Sequence, residues 1–147
     1  MSSRQALDLY RASAHVGGQA RALNSVGWAY ALLGDYPAAI TYCEQALALH
    51  QELGDRPGAA ATLDSLGYAH HHLGHHDKAT ACYRQAVEVY RDCSDRYYEA
   101  ASLTRMGDTD QAAGRRPAAV HAWRQALDIL RQLGHTEAAA VAAKLAG

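Results

Sequence analysis

Apolar residues recur along this 147-residue chain with the rhythm of a helix. Ala20, Leu23, Val26, Gly27, Tyr30 and Leu33 stand at intervals of 3, 3, 1, 3 and 3, which gathers all six on one side of a helix of 3.6 residues per turn. The same rhythm returns at Ala60, Leu63, Leu66, Gly67, His70 and Leu73, and again at Ala100, Leu103, Met106, Gly107, Asp110 and Ala113. A second apolar face follows each of these. It is carried by Ala39, Cys43, Ala46, Leu47 and Leu53, then by Ala79, Tyr83, Ala86, Val87 and Cys93, then by Ala119, Trp123, Ala126, Leu127 and Leu133. The pattern predicts two helices per unit, A and B, with these residues on their buried stripes.

The units are copies of one another. QALDLYR from Gln5, QALALHQ from Gln45, QAVEVYR from Gln85 and QALDILR from Gln125 are spaced by 40 residues, as are Gly27, Gly67 and Gly107 and then Gly34, Gly74 and Gly114. Gly34, Gly74 and Gly114 predict the turn after helix A, since glycine takes the left-handed conformation that ends helices. Helix B then starts near Pro37, Asp77 or Pro117, and Asp55 before Pro57 reads as another helix start. Gly27, Gly67 and Gly107 lie inside helix A, where glycine costs about 1 kcal/mol against alanine; close approach of helix B over a missing side chain is the expected reason.

One domain over 1–147 is expected. It divides into helix B of an incomplete unit (1–16), three full repeats (17–56, 57–96 and 97–136) and a capping helix (137–147), about eight helices in all. Because residues 3–14 match helix B with no helix A before them, the chain is expected to belong to something larger.

These residues resemble the tetratricopeptide repeat family. Its pattern of large apolar, Leu-Gly, Tyr, then Ala, aromatic and Ala falls on Leu23, Val26, Gly27, Tyr30, Ala39, Cys43 and Ala46, with aromatic matches at Tyr83 and Trp123. A leucine replaces the usual first tryptophan, and the period is 40 and not 34. The resemblance implies an all-α fold: a right-handed superhelical solenoid of antiparallel helix pairs, whose A helices line an inner wall that binds a protein or peptide segment. From about Gly17 onward, the strings ALHQELGDRPGAAATLDSLGYA and AAVHAWRQALDILRQLGHTEAAAVAAKLAG are also similar to the C-terminal repeat arrays of actinobacterial antibiotic-regulator and signal-transducing NTPase transcription factors. That likeness implies a sensor or autoinhibitory module in bacterial transcription regulation, contacting other proteins or other domains of its parent chain; with no apolar signal core in MSSRQALDLYRAS, the chain is expected to be cytoplasmic.

Composition removes other classes. A net charge of −1 leaves no basic surplus to draw the chain onto nucleic acid or anionic lipid. No apolar run is long enough to span a membrane. Cys43, Cys82 and Cys93 are odd in number and form no CxxC pair, against a disulfide framework or a cysteine zinc site. Without a glycine-rich phosphate loop, an HExxH or a GxSxG, neither catalysis nor a cofactor is indicated.

Opposite the buried stripe, the A helices differ from unit to unit. The first offers Arg21, Asn24, Ser25, Trp28 and Leu32; the second Asp64, Ser65, Tyr68, His71 and His72; the third Thr104, Arg105, Asp108 and Gln111. This mixture of aromatic, amide, hydroxyl and charged groups suits an extended peptide, which needs hydrogen-bond partners for its backbone and flat apolar contacts for its side chains. Trp28 and Tyr68 are the expected anchors, aromatics being favoured at interfaces. Ala61 and Ala101 stand where a clamp for a terminal carboxylate would want lysine, which disfavours a free carboxyl terminus as the ligand.

Two other readings stay open. The run HHHLGHH places His70, His71, His72, His75 and His76 together, a candidate metal- or pH-responsive switch. The repeat gives them structural positions instead: His70 stands where Tyr30 does, and His75 and His76 where Asp35 and Tyr36 do. No metal site is therefore assigned. The half unit at 3–14, with Leu7 and Tyr10, offers a face for homo-oligomerisation. Asp110, on the buried stripe, is expected either to pair with a histidine or arginine or to mark a locally loose third unit.

Overall fold

The computed structural model describes residues 2–5 and 16–147, and all regular structure among them is helical. Residues 3–5 are helical, and seven helices follow. These are α1 (Val16–Leu32), α2 (Tyr36–Leu53), α3 (Arg56–His72), α4 (His76–Asp92), α5 (Arg96–Ala112), α6 (Arg116–Gln132) and α7 (Ala138–Ala146). α1, α3 and α5 are the A helices, and α2, α4 and α6 the B helices.

Each turn is built alike. Gly34, Gly54, Gly74, Gly114 and Gly134 all have positive φ, and Ser94 (φ 58°) fills the sixth such position. These sites are 20 residues apart, so the 40-residue unit is two halves of equal length closed by the same turn. Across every turn the amide of the residue after this site reaches back five positions: Asp35 to the Tyr30 carbonyl (2.9 Å), Asp55 to His50 (2.9 Å), His75 to His70 (2.9 Å), Asp95 to Tyr90 (2.8 Å), Arg115 to Asp110 (2.8 Å) and His135 to Leu130 (2.9 Å). These bonds satisfy carbonyls that a helix end otherwise leaves unpaired. The next helix starts at once, with Asp35, Asp55 and Asp95 accepting from the amides of Ala38 (3.2 Å), Gly58 (3.0 Å) and Tyr98 (3.3 Å).

The contacts divide the chain into two compact units, Met1–His75 and His76–Gly147. In the first, Leu23 and Val26 of α1 pack on Ala46 of α2, and Ala31, Ala39 and Ala69 form a second small cluster. A side chain on Gly27 would run into the Cys43 sulfur and the Ala39 carbonyl, so α2 crosses α1 at the missing Cβ. In the second unit the core gathers on Trp123, with Val87, Leu103, Leu127, Leu130 and Val141. Gly107 meets the Trp123 indole as Gly27 meets Cys43.

Charge is buried in the second unit. Glu99 is 2% exposed and accepts from Arg91 Nε at 2.9 Å and Arg96 Nη1 at 3.3 Å. Asp110, 7% exposed, accepts from Arg115 Nε at 3.0 Å, which is the arginine pairing among the readings its position left open.

Five residues expected on the buried stripes are exposed: Leu33, Leu53, Leu73, Cys93 and Leu133. All stand one residue before the positive-φ site, at the last residue of their helix or just past it. Their burial falls instead to the residue three earlier on the B helices, His50, Tyr90 and Leu130. In α7, Ala140 is exposed and Val141 buried, although the repeat aligns Ala140 with the buried Ala20.

Candidate partner-binding surface

The first unit carries a cleft of about 500 Å³ beside α1 and the start of α3. Arg21, Asn24 and Ser25 line it from α1, each three or four residues from the next turn's contribution and so on one helix face. His50, Asp55, Pro57, Gly58 and Ala61 line the side formed by the α2–α3 turn. Gly58 opens this wall: a Cβ there would collide with Asp55 and with the His50 ring.

Behind the cleft, the polar atoms are internally matched. His50, 1% exposed, places Nδ1 3.1 Å from Asp55 Oδ2, while Asp55 Oδ1 accepts from the Gly58 amide at 3.0 Å. The Cys43 thiol donates to Asn24 Oδ1 at 3.8 Å. Burial pushes that thiol up to about 12, with Glu44 adding to the shift, so it keeps its proton for this contact at neutral pH. With Asn24 Oδ1 so engaged, its Nδ2 group is left to donate.

Next to the cleft stands an aromatic group. Trp28 meets Tyr68 edge-on, ring centres 5.0 Å apart. His72 lies 4.3 Å from Tyr68 and stacks on Tyr36 at 5.2 Å, with His71 edge-on to it at 5.1 Å. Trp28, Tyr36 and Tyr68 also pack on Ala31, Ala39 and Ala69, so each is half-buried and presents only part of its ring.

Of the other expected lining residues, Asp64 and Ser65 are 8% and 6% exposed. They sit against the protein, and the Ser65 hydroxyl donates to the Ala61 carbonyl at 3.3 Å. The helical wheel missed this because α3 is enclosed on more than one side, burying Thr62 through Gly67 without a break.

In the second unit, Arg105 is exposed on α5. Asp108 serves the fold: its Oδ1 accepts from Trp123 Nε1 at 3.1 Å and Lys144 Nζ at 2.9 Å. Gln111 accepts from Arg116 at 3.3 Å, and the Thr104 hydroxyl donates back to the Ala100 carbonyl at 2.9 Å. Sequence reasoning missed the contribution of His50, Asp55 and Gly58 to the cleft. Its signal was the string HQELGDRPG, in which a histidine stands five residues before the aspartate that opens α3.

Within the histidine run, His70 Nδ1 and His75 Nδ1 lie 3.2 Å apart with ring centres at 5.5 Å, a hydrogen bond between two imidazoles. It occupies the same place across its turn as the His50–Asp55 and Asp110–Arg115 pairs across theirs. Among the described residues no three His, Cys, Asp or Glu side chains come together as a metal-binding set. Leu7 and Tyr10 of the proposed self-assembly face lie outside the described residues. No helix among the described residues is long and apolar enough to cross a membrane.

The fold recurs in solved structures. A Rap protein complexed with competence and sporulation factor superposes with a TM-score of 0.78 at 19% identity, over 88% of this chain and 36% of its own. BtubC (BKLC) from P. vanneervenii gives 0.78 at 18% identity, over 95% of this chain and 59% of its own. A putative kinesin light chain from Podosopora anserina, described by its nearly identical TPR-like repeats, gives 0.73 at 21% identity, over 86% and 63%. This chain thus spans less than two thirds of each of those proteins. No curated protein matches it. A family model described as tetratricopeptide repeat matches residues 18–92, about half of the chain, and with the all-helical fold this shows that the chain belongs to the tetratricopeptide repeat family.

Proposed function

We propose that this chain is a protein- or peptide-binding module acting through the α1–α3 face of its first unit. Tetratricopeptide repeats are protein-interaction modules, and proteins built from them are in general non-enzymatic scaffolds. The observation that carries the reading is the adjoining of a polar cleft, lined by Arg21, Asn24 and Ser25, to the half-exposed Trp28–Tyr68 pair. An extended segment needs both kinds of contact. His71 and His72 extend the aromatic end. Arg105, with Asp108 and Gln111 beside it, is the corresponding feature of the second unit, while Asp64 and Ser65 support the α3 side from within.

The Rap structure holds competence and sporulation factor, which accords with a fold of this kind receiving a bound partner. The likeness of the sequence to regulator repeat arrays favours a sensor or regulatory part of a larger cytoplasmic bacterial regulator, its partner being a peptide or another domain of the same parent chain. The near-neutral charge speaks against nucleic acid as the ligand.

Peptides selected against the chain by display and then titrated test the reading. Trp28→Leu, which keeps an apolar group on the Ala31–Ala39–Ala69 cluster, and Arg21→Ala are each expected to weaken binding about fivefold or more. Unchanged affinity in both, with circular dichroism unaltered, overturns it; Arg105→Ala reports separately on the second unit.

A further inference from the structure

We propose that His70 and His75 form a proton-operated latch on the turn that ends α3, closed while a single proton lies between the two imidazoles and opened when acid places a second there.

The geometry is that of one shared hydrogen. The two Nδ1 atoms lie 3.2 Å apart and the ring centres 5.5 Å apart. The centres are farther apart than the nitrogens by the width of an imidazole ring, so each nitrogen points at the other along the line joining the rings. One Nδ1–H donates, and the other Nδ1 accepts with its lone pair. Two nitrogens this close that ligated one metal ion at about 2.0–2.1 Å would converge instead on a point beside that line. A second proton turns both nitrogens into donors and sets two positive rings 3.2 Å apart. His70 is 8% exposed, so water screens that repulsion poorly. The side-chain bond then breaks, and the backbone bond from the His75 amide to the His70 carbonyl, which holds the last turn of α3, loses its brace.

Equivalent turns set this one apart. His50 with Asp55 and Asp110 with Arg115 stand at the same two places across theirs. Each of those pairs contains a carboxylate, which keeps its charge where imidazoles titrate, so acid strengthens the first and leaves the second as it is. His70 and His75 are both bases. Around this end of α3, His71 and His72 make ring contacts, His72 with Tyr36 and Tyr68. Asp64 stands six residues before His70. From α1 and α2, which pack on α3, come Trp28 and Tyr36, and Asp35 caps α2 through the Ala38 amide. His76, Asp77 and Lys78 follow the turn, and Asp77 accepts from Arg115 at 2.9 Å.

The unfolded chain charges both rings, whereas the closed turn accommodates one charge. The turn therefore loses stability as pH falls through the range in which imidazoles charge, between about pH 8 and pH 5.

Hydrogen exchange of the His75 amide, followed by NMR on the whole chain and corrected for the intrinsic rate at each pH, reads the latch directly. Its protection should fall about tenfold between about pH 7.5 and pH 5.5, while the Asp55 and Arg115 amides, which make the same backbone bond across their turns, change less than about twofold. His75→Asp places here the residue that stands at 35, 55 and 95, and should hold the protection constant or raise it over the same range. His70→Tyr, which brings in the residue at 30 and 90, should remove the pH dependence as well. Protection that is steady in wild type, an equal fall at all three amides, or a fall at position 75 that persists in both variants overturns the latch.

Discussion

Gly27 lies beneath Cys43: a methyl group at position 27 would strike the thiol sulfur and stand 3.1 Å from the Ala39 carbonyl oxygen. The glycine that weakens helix α1 by about 1 kcal/mol is thus the condition for α2 to cross it this closely. Gly27→Ala should destabilise the chain by about 1–2 kcal/mol, the overpacking cost exceeding the gain in helix propensity. Adding Cys43→Ala removes the sulfur but not the backbone contact. The pair should therefore be less destabilising than the sum of the singles by at least about 0.5 kcal/mol, read by urea unfolding. Strict additivity would show that the contact is not shared.

Glu99 tests the buried charge of the second unit. Its carboxylate is almost wholly enclosed, whereas Arg91 and Arg96 remain about half exposed, at 53% and 43%. Removing either arginine leaves the other in place and should cost about 1 kcal/mol. Removing the carboxylate buries a void between two cations, and Glu99→Ala should cost about 3 kcal/mol. Urea unfolding of the three variants checks the order; an alanine at 99 costing no more than an alanine at 91 contradicts it.

The sequence carried the helices well because the same pattern was written three times, and register errors in one copy were corrected by the others. It misplaced Leu33, Leu53, Leu73, Cys93 and Leu133 for a physical reason. A wheel assumes that every turn of a helix is covered, and the last turn before a reversal is not. The 20-residue half-period escaped notice because helices A and B share turn geometry rather than residues: a positive-φ position and an amide reaching back five residues, with partners as unlike as Asp55 with His50 and Arg115 with Asp110. The exposure of the outer side of α1 was legible because it depends on that helix's own wheel: Arg21 and Ser25 are exposed and Asn24 and Trp28 half-buried. Asp64 and Ser65 were not legible, since α3 is buried without a break from Thr62 through Gly67 and not along a single stripe.

Ser94 is the non-glycine residue with positive φ among six equivalent turns. A side chain in the left-handed region costs about 1–2 kcal/mol, and a glycine in its place returns part of that as extra freedom in the unfolded chain. Ser94→Gly should stabilise the chain by about 0.5–1 kcal/mol, seen as a higher urea midpoint at unchanged slope. A lower midpoint would mean that the serine side chain earns its place by some contact stronger than the strain.

Cys43 supplies a prediction in pH. Its thiol is raised from 9.0 to about 12 by burial, so between those values the unfolded chain releases a proton that the folded chain keeps. Stability from this group is complete below pH 9 and is lost as pH rises toward 12, at about 1.4 kcal/mol per unit. The other alkaline groups titrate in both proteins, so the comparison with Cys43→Ala isolates the thiol. At neutral pH wild type should be the more stable, because the sulfur fills the space over Gly27. From about pH 9 upward its advantage should shrink and then reverse, the two unfolding curves crossing before the thiol ionises in the native state. Thiol reagents report the same burial kinetically: Cys93, exposed, should label first and Cys43 only as the chain unfolds. Parallel stability curves, or early labelling at Cys43, would mean that α2 does not seal the sulfur against α1.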